Sequence, residues 1–520
     1  MMGQDNKITV DMMEKTNVEG VDVPGSTDIT FRQALKANPK VMINCILMTL
    51  GPMAFGFDII IVGVVTAIPA FLQTYGEFDG KQYILPSLWL SLWNAFMQIG
   101  FMIGSVLNGW LSDRFGRKVS MMAGAAITSL GVAVIFTSDL SGSVEHRRGA
   151  FLAGKIVLGI GLSMMATTSL IYNSEIIHPK LRGVVLSLFQ FFLVFGQMIA
   201  AFVAGSQITI GFQLVSYRTC FATQWAMAGA ALVAALVVPE SPVYLLKRGK
   251  VEAARKSLTR LHDPTMAESS LISIQETLDH EKAEQQLSSD ATYLECFKGH
   301  NWRRTRIILY ASIVQQFHGI SFVANGTYFM IVAGLSPVNA IKVLEVACAL
   351  ALVGIMVSWF LSHLAGRRPT LIGCTAFLCP VWISIGIAGC YPTSKAALWY
   401  MGIMINLILF FFNVGAGPVI PIIVAETSSV RLRAKANGIG FLCNGFASWA
   451  FNFFVPYLFN VDELNWGGKT GFFFAGLTAI AGVVLWLELP EMKNRTYRQL
   501  DEMFENRVRT RDFRKYACTT

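Results

Sequence analysis

The sequence predicts an all-α membrane protein of twelve transmembrane helices, built as two six-helix halves with both termini cytoplasmic. Three observations carry that prediction: the composition, the spacing of long apolar runs, and a set of landmarks that recurs at one offset. Of 520 residues, 53% are hydrophobic and only 14% are charged, whereas a soluble domain carries about 25% charged residues. The nine cysteines are scattered singly, mostly in apolar runs, and read as small core residues rather than a disulfide framework. Soluble, fibrous and disordered classes are excluded.

A helix needs about 20 apolar residues to cross a bilayer. Runs of that length cover 42–69, 87–111, 119–137, 150–173, 184–206 and 219–238. After a polar loop come 307–333, 343–363, 370–390, 397–425, 436–459 and 470–489. In the second run, Gly100, Gly104 and Gly109 permit close helix contact, as do Gly159 and Gly161 in the fourth. The sixth run stops before Pro239 and the twelfth before Pro490. The tenth holds Gly415, Gly417, Pro418 and Pro421 and is expected to break around 415–421. The chain therefore divides into a tail (1–40), a first half (41–238), a linker (239–306), a second half (307–489) and a tail (490–520). Within the linker, 251–261 and 268–287 look like amphipathic helices bracing the two halves, with a regulatory docking surface as the alternative.

Orientation follows from the basic residues. The two tails and the even-numbered loops hold 34 of the 42 Lys and Arg residues, which places both tails and the linker in the cytoplasm. The net charge of +9 is thus a topology signal, with some attraction to anionic lipid, and no nucleic-acid partner is expected. Residues 1–40 lack the pattern of a cleavable signal, so the first span is expected to act as a signal anchor. The sequons at Asn325 and Asn494 fall in a span and in the cytoplasmic tail, so neither is expected to be glycosylated.

Gly116-Arg117-Lys118 recurs as Gly366-Arg367-Arg368, an offset of 250 residues. Glu175 recurs as Glu426, Leu181-Arg182 as Leu432-Arg433, and Pro239-Glu240 as Pro490-Glu491, each at 251. Two homologous halves in one orientation suit a carrier that opens alternately to either side.

Ionisable groups inside a membrane are expensive and mark function. Asp58 lies mid-way through the first span and Lys155 opens the fourth. If they pair, protonation of Asp58 would break the pair and free the helices, a proton-coupling device. A static bridge is the alternative. Polar amides form a second set: Gln190 and Gln197, seven residues apart on one helix face, then Gln315, Gln316 and Asn325, then Asn444 and Asn452. Amides both donate and accept, which suits a hydroxyl-rich ligand, although they also serve as interhelical glue. No enzyme is indicated. Gly467-Gly468-Lys469-Thr470 lacks the first glycine of a phosphate loop, His280-Glu281 lacks the second zinc histidine, and no cofactor or metal is called for.

Taken together, the run from Gly109 through Asp113-Arg114 and Gly116-Arg117-Lys118, the stretch Tyr172 to Gly183, and Pro239 to Pro242 resemble a known family. Gln315 to Ile320 and Pro490 to Thr496, leading to Phe504, extend the likeness over 40–505. The family is the sugar porters of the major facilitator superfamily, particularly their fungal members. The resemblance implies that Asp58 takes the proton, with Lys155 standing where the family usually has Arg. It implies sugar contacts at Gln190, Gln197, Gln315, Gln316 and Asn444. A cytoplasmic network latching the outward-open state would comprise Asp113, Arg114, Arg117, Glu175, Arg182, Arg367, Glu426 and Arg433. Departures occur at His363 (usually Asp), Ser321 (Asn), Asn325 (Tyr), Pro421 (Trp) and Gly445 (Trp). A second latch that is weaker or pH-sensitive and a roomier pocket are expected, favouring a disaccharide, α-glucoside, other polyol or fungal metabolite. The resulting expectation is a monomeric plasma-membrane symporter of protons with a sugar-like solute. A facilitator or exporter of a non-sugar metabolite is the alternative, and a non-transporting nutrient sensor a more distant one.

Overall fold

The computed structural model describes residues 39–80, 82–177, 182–208, 213–262, 264–288, 292–429, 432–493, 495 and 497–516. The first six spans are α1–α2 (Pro39–Met48, Leu50–Val65), α4 (Ser87–Phe115), α5 (Arg117–Thr137), α6 (Val144–Ile176), α7 (Arg182–Gln207) and α8 (Leu214–Val237). Between the first two lie a short α3 (Pro69–Tyr75) and a hairpin of β1 (Glu77–Phe78) and β2 (Tyr83–Ile84). The linker carries α9 (Pro242–Lys247), α10 (Val251–Leu261) and α11 (Pro264–Ser288). The seventh span is split into α12 (Gly299–Phe317), α13 (Ile320–Ala324) and α14 (Gly326–Val332). Then come α15 (Pro337–Leu364), α16 (Arg367–Ala388), α17–α18 (Lys395–Val414, Ala416–Thr427), α19 (Arg433–Phe459), α20 (Thr470–Glu488) and a terminal α21 (Tyr497–Glu505). Twelve of these segments are long and apolar enough to cross a membrane.

The helices run past the apolar cores that announced them. α6 starts at Val144, so Lys155 stands about three turns inside the fourth span rather than at its opening. α12 starts at Gly299, so the last residues assigned to the linker already belong to the seventh span. The tenth span breaks at Gly415. Pro418 then falls in the first turn of α18, where its missing N–H has no intrahelical acceptor to lose. The seventh span breaks at Gly319, whose φ of +80° is left-handed; a Cβ there would strike the Trp382 ring.

Across the two halves, α4 packs on α19 and α7 on α15. Leu236, Phe360 and Phe446 face outward and exposed, the surface that lipid covers. The chain after Pro490 folds back on α12. Arg304 pairs with Asp501 at 2.6 Å and lies 4.4 Å over the Phe504 ring, while Arg303 donates to the Val508 carbonyl at 2.6 Å. The helix ends next to the linker are called the linker end below, and the opposite ends the far end.

Candidate functional site

Asp58 on α2 and Lys155 on α6 meet in the interior of the first half, each only 1% exposed. Lys155 Nζ donates to Asp58 Oδ1 at 2.8 Å and to Oδ2 at 2.6 Å. Gln224 on α8 donates Nε2–H to Oδ1 at 2.9 Å. Three helices thus converge on one carboxylate, and its charge is both paired and hydrogen-bonded, as burial demands. Sequence reasoning passed over Gln224. The signal was present: an amide inside an apolar run, the same mark that singled out Gln190.

The amides fall into three groups. Gln316 Nε2 donates to Ser448 Oγ (2.8 Å) and its Oε1 accepts from Ser321 (2.7 Å). Ser448 in turn reaches Asn444, whose Nδ2 donates to the Ser312 carbonyl, both at 3.4 Å. This network joins α12, α13 and α19. Gln190 donates to Asn413 Oδ1 across the halves at 3.2 Å. Asn325, 2% exposed, accepts from Asn94 of α4 at 3.0 Å, a second cross-half amide pair. Gln197 and Gln315 are half-buried and make no hydrogen bond among the described residues, which leaves their amides available to a ligand. Asn94, Asn413 and Ser448 were not anticipated, because short polar residues in a span look the same whether they glue helices or line a path. One expectation is corrected. Gly445 opens no room: a Cβ there would come within 2.9 Å of Met102 on α4, so this position is packed against the other half.

At the linker end the repeat appears as geometry. Arg117 binds Glu175 through Nε (3.0 Å) and Nη2 (2.6 Å), and Ser241 Oγ donates to the same carboxylate. Arg367 binds Glu426 through Nη2 alone, at 2.9 Å. Glu426 Oε2 and Arg367 Nε are buried without partners among the described residues. Burial pushes the Glu426 carboxyl up from its ordinary value, with Arg367 opposing the shift. Glu240 and Glu491 each accept from the first two backbone N–H groups of a helix, α5 and α16 respectively. A carboxylate at a helix N-terminus complements its dipole. Two candidates stand at the edge of this picture. Asp113 is 82% exposed and 3.5 Å from Arg117. Arg114 is corrected: it forms no ion pair among the described residues and lies over Trp110 and Phe115 at 5.6 Å, because its position in the last turn of α4 turns it outward. The side chains of Arg182, Arg433 and His363, together with Asn494, lie outside the described residues. Each of these ion pairs stays within one half.

At the far end the halves are polar-bonded again. Asp462, between α19 and α20, accepts from Ser87 N at 2.7 Å and from Ser87 Oγ, capping α4. Asn460 donates to the Leu85 carbonyl (2.9 Å), and Tyr328 OH exchanges hydrogen bonds with the Leu85 backbone. A largely apolar cavity of about 170 Å³ lies beside this seam, lined by Thr66, Leu72, Gln73, Tyr83 and Tyr328 among others.

The family model described as "Sugar (and other) transporter" matches residues 44–504. The chain is 31% identical over 477 residues to the MFS transporter fmqE of Aspergillus fumigatus, covering 89% of this chain and 86% of that protein. It is 29% identical over 520 residues to the general alpha-glucoside permease of Saccharomyces cerevisiae, covering 98% and 82%. Among solved structures, the xylose transporter XylE from E. coli in a partially occluded inward-open conformation matches with a TM-score of 0.70 at 22% identity, over 87% of this chain and all of that one. That likeness is one of fold. With the family model spanning nearly the whole helical body, the chain belongs to the sugar (and other) transporters of the major facilitator superfamily.

Proposed function

We propose that this protein is a proton symporter of a sugar or sugar-like solute, of disaccharide or α-glucoside size. The single observation that carries the reading is the Asp58–Lys155 pair, buried to 1% exposure and closed at 2.6 Å. An ion pair so desolvated is held together by both charges. Protonating Asp58 removes one of them, so proton occupancy is tied to how α2 sits against α6. The permease relative supports the cargo class. Gln197 and Gln315, unpaired among the described residues, together with Gln190, Gln316, Asn325 and Asn444, supply donors and acceptors for hydroxyl groups. We assign the linker end to the cytoplasm and the protein to the plasma membrane, acting as a monomer. In this reading the Arg117–Glu175 and Arg367–Glu426 pairs belong to the cytoplasmic gate.

A second reading keeps the fold and changes the cargo to a non-sugar metabolite. It is favoured by Pro421 and Gly445, which supply no aromatic surface for a sugar ring to stack on, and by the fmqE relative, whose name specifies no sugar. Uptake in a transporter-deficient host, with labelled glucose, maltose, lactose and myo-inositol and with external pH recorded, separates the readings. Symport requires uptake with alkalinisation, both lost in Asp58→Asn at unchanged surface expression. Uptake unaffected by Asp58→Asn refutes coupling through this residue. Absence of uptake for the whole panel moves the cargo to the second reading.

A further inference from the structure

The Asp58 carboxylate has two partners of different chemistry. Lys155 is a donor only, with three N–H groups and no lone pair. Gln224 carries both an NH₂ and a carbonyl, and only the NH₂ is used, toward Asp58 Oδ1 at 2.9 Å. Gln224 is 4% exposed, and its Oε1 is buried without a partner among the described residues. An unmade buried acceptor is destabilising, so its persistence beside a titratable carboxyl calls for an explanation.

The explanation lies in the other protonation state. A protonated Asp58 carries an O–H that needs an acceptor, and Lys155 has none to give. Turning the Gln224 amide about its last side-chain bond, a broad and roughly two-fold torsion, exchanges Nε2 for Oε1 and presents that acceptor. We propose that Gln224 is a positioning residue that follows the protonation of Asp58, donating to the carboxylate and accepting from the acid. The proton arrives from water and ends on Asp58. Lys155 keeps its three protons, and the only covalent bond made is the O–H. The inference rests on the symport reading above.

Among the described residues no other titratable group competes for this role: α13 carries none, and Lys40 and Cys45 of α1 lie more than three turns before Asp58 in the first span. α6 faces Asp58 with Lys155. α8 faces it with Gln224, and Cys220 lies one turn away on the same helix. α7 carries no titratable side chain between 187 and 207. Across the halves, α14 brings Tyr328, which is held at the far end by Leu85 and Asn460.

The test uses the full chain with Gln224→Met, close in shape and lacking both amide groups. A hydrogen bond to a charged group is worth about 1 kcal/mol more than one between neutral groups. The variant therefore loses more from the ionised state than from the acid. The pH at which uptake is half-maximal should rise by about half a unit to one unit. In the pH-difference infrared spectrum, the protonated-carboxyl band that disappears in Asp58→Asn should shift in Gln224→Met, because its hydroxyl has lost its acceptor. Gln224→Leu repeats both measurements if Gln224→Met fails to accumulate. A wild-type profile and an unmoved band in these variants, with Asp58→Asn abolishing coupling, would overturn this inference alone. An Asp58→Asn variant with normal uptake and normal pH dependence would overturn the symport reading and this inference together.

Discussion

Ser241 and Met492 occupy equivalent places in the repeat, 251 residues apart, and they treat their neighbouring acids differently. Ser241 donates to Glu175, which Arg117 also holds by two bonds. Met492 instead accepts a weak contact from Thr427 at 3.5 Å, and the Oε2 of Glu426 is left bare. A hydrogen bond to a charged group contributes about 1.5–3 kcal/mol. Ser241→Ala should therefore lower the melting temperature in detergent. Glu426 also gives a pH test. Its carboxyl is raised by burial above the ordinary 4.5, so the folded chain holds that proton more tightly than the unfolded chain. The stability it contributes is complete below pH 4.5 and is lost as pH rises through the raised value. Glu426→Gln removes that loss. Its melting temperature should equal or exceed wild type at neutral pH, and the gap should close toward pH 4.5. In the buried pair, Lys155→Ala leaves the Asp58 charge uncompensated and should cost about 3–5 kcal/mol, measurable as loss of folded protein in detergent. Lys155→Arg keeps the charge and should recover most of that loss.

At the scale of elements, the break between α12 and α13 depends on one left-handed residue. Gly319→Ala places a Cβ in that conformation and against Trp382. Strain of this kind is about 1–3 kcal/mol. The variant should melt earlier and lose uptake, while Gly373→Ala in α16, where a Cβ meets nothing within 4 Å, serves as the silent control. This break also shows which features the sequence carried. All twelve spans were legible because lipid demands apolar length, and the halves because Arg117 and Arg367 recur with Glu175 and Glu426. The split at Gly415 was legible from the prolines near it. The split at Gly319 was not, because a single glycine among apolar residues has the same appearance in a packed helix and in a broken one. Asp58 and Lys155 were legible as costly charges, but their contact with Gln224 required knowing that α2, α6 and α8 meet. The short amides Asn94 and Asn413 stayed hidden for the same reason: their partners lie on the other half.

For the whole molecule, polar bonding between the halves is concentrated at the far end among the described residues, while the described ion pairs at the linker end stay within each half. Asp462 holds that seam by capping α4 from the opposite half. Asp462→Ala removes two hydrogen bonds to a charged acceptor, each worth about 1.5–3 kcal/mol, and a factor of ten requires only about 1.4 kcal/mol. A cysteine introduced at Leu72, beside the cavity on that seam, should then be labelled by a membrane-impermeant thiol reagent at least tenfold faster. Equal labelling rates in the two backgrounds would show that Asp462 does not hold the far end closed. The placement of the two polar networks has a further consequence. The carboxylate cluster is confined to α2, α6 and α8, whereas the Gln316–Ser448–Asn444 chain is confined to α12, α13 and α19. They share no helix, so under the proposed function the proton-binding carboxylate and this part of the hydroxyl-recognising amides can be inherited separately, while Gln190 and Gln197 stay with the first half. A chimera that takes its last six helices from a relative with different cargo has few mid-membrane seams to match, chiefly Gln190 with Asn413 and Asn94 with Asn325. Under that reading, swapping cargo while retaining the energy source means matching those two amide pairs together with the far-end bonds of Asp462, Asn460 and Tyr328.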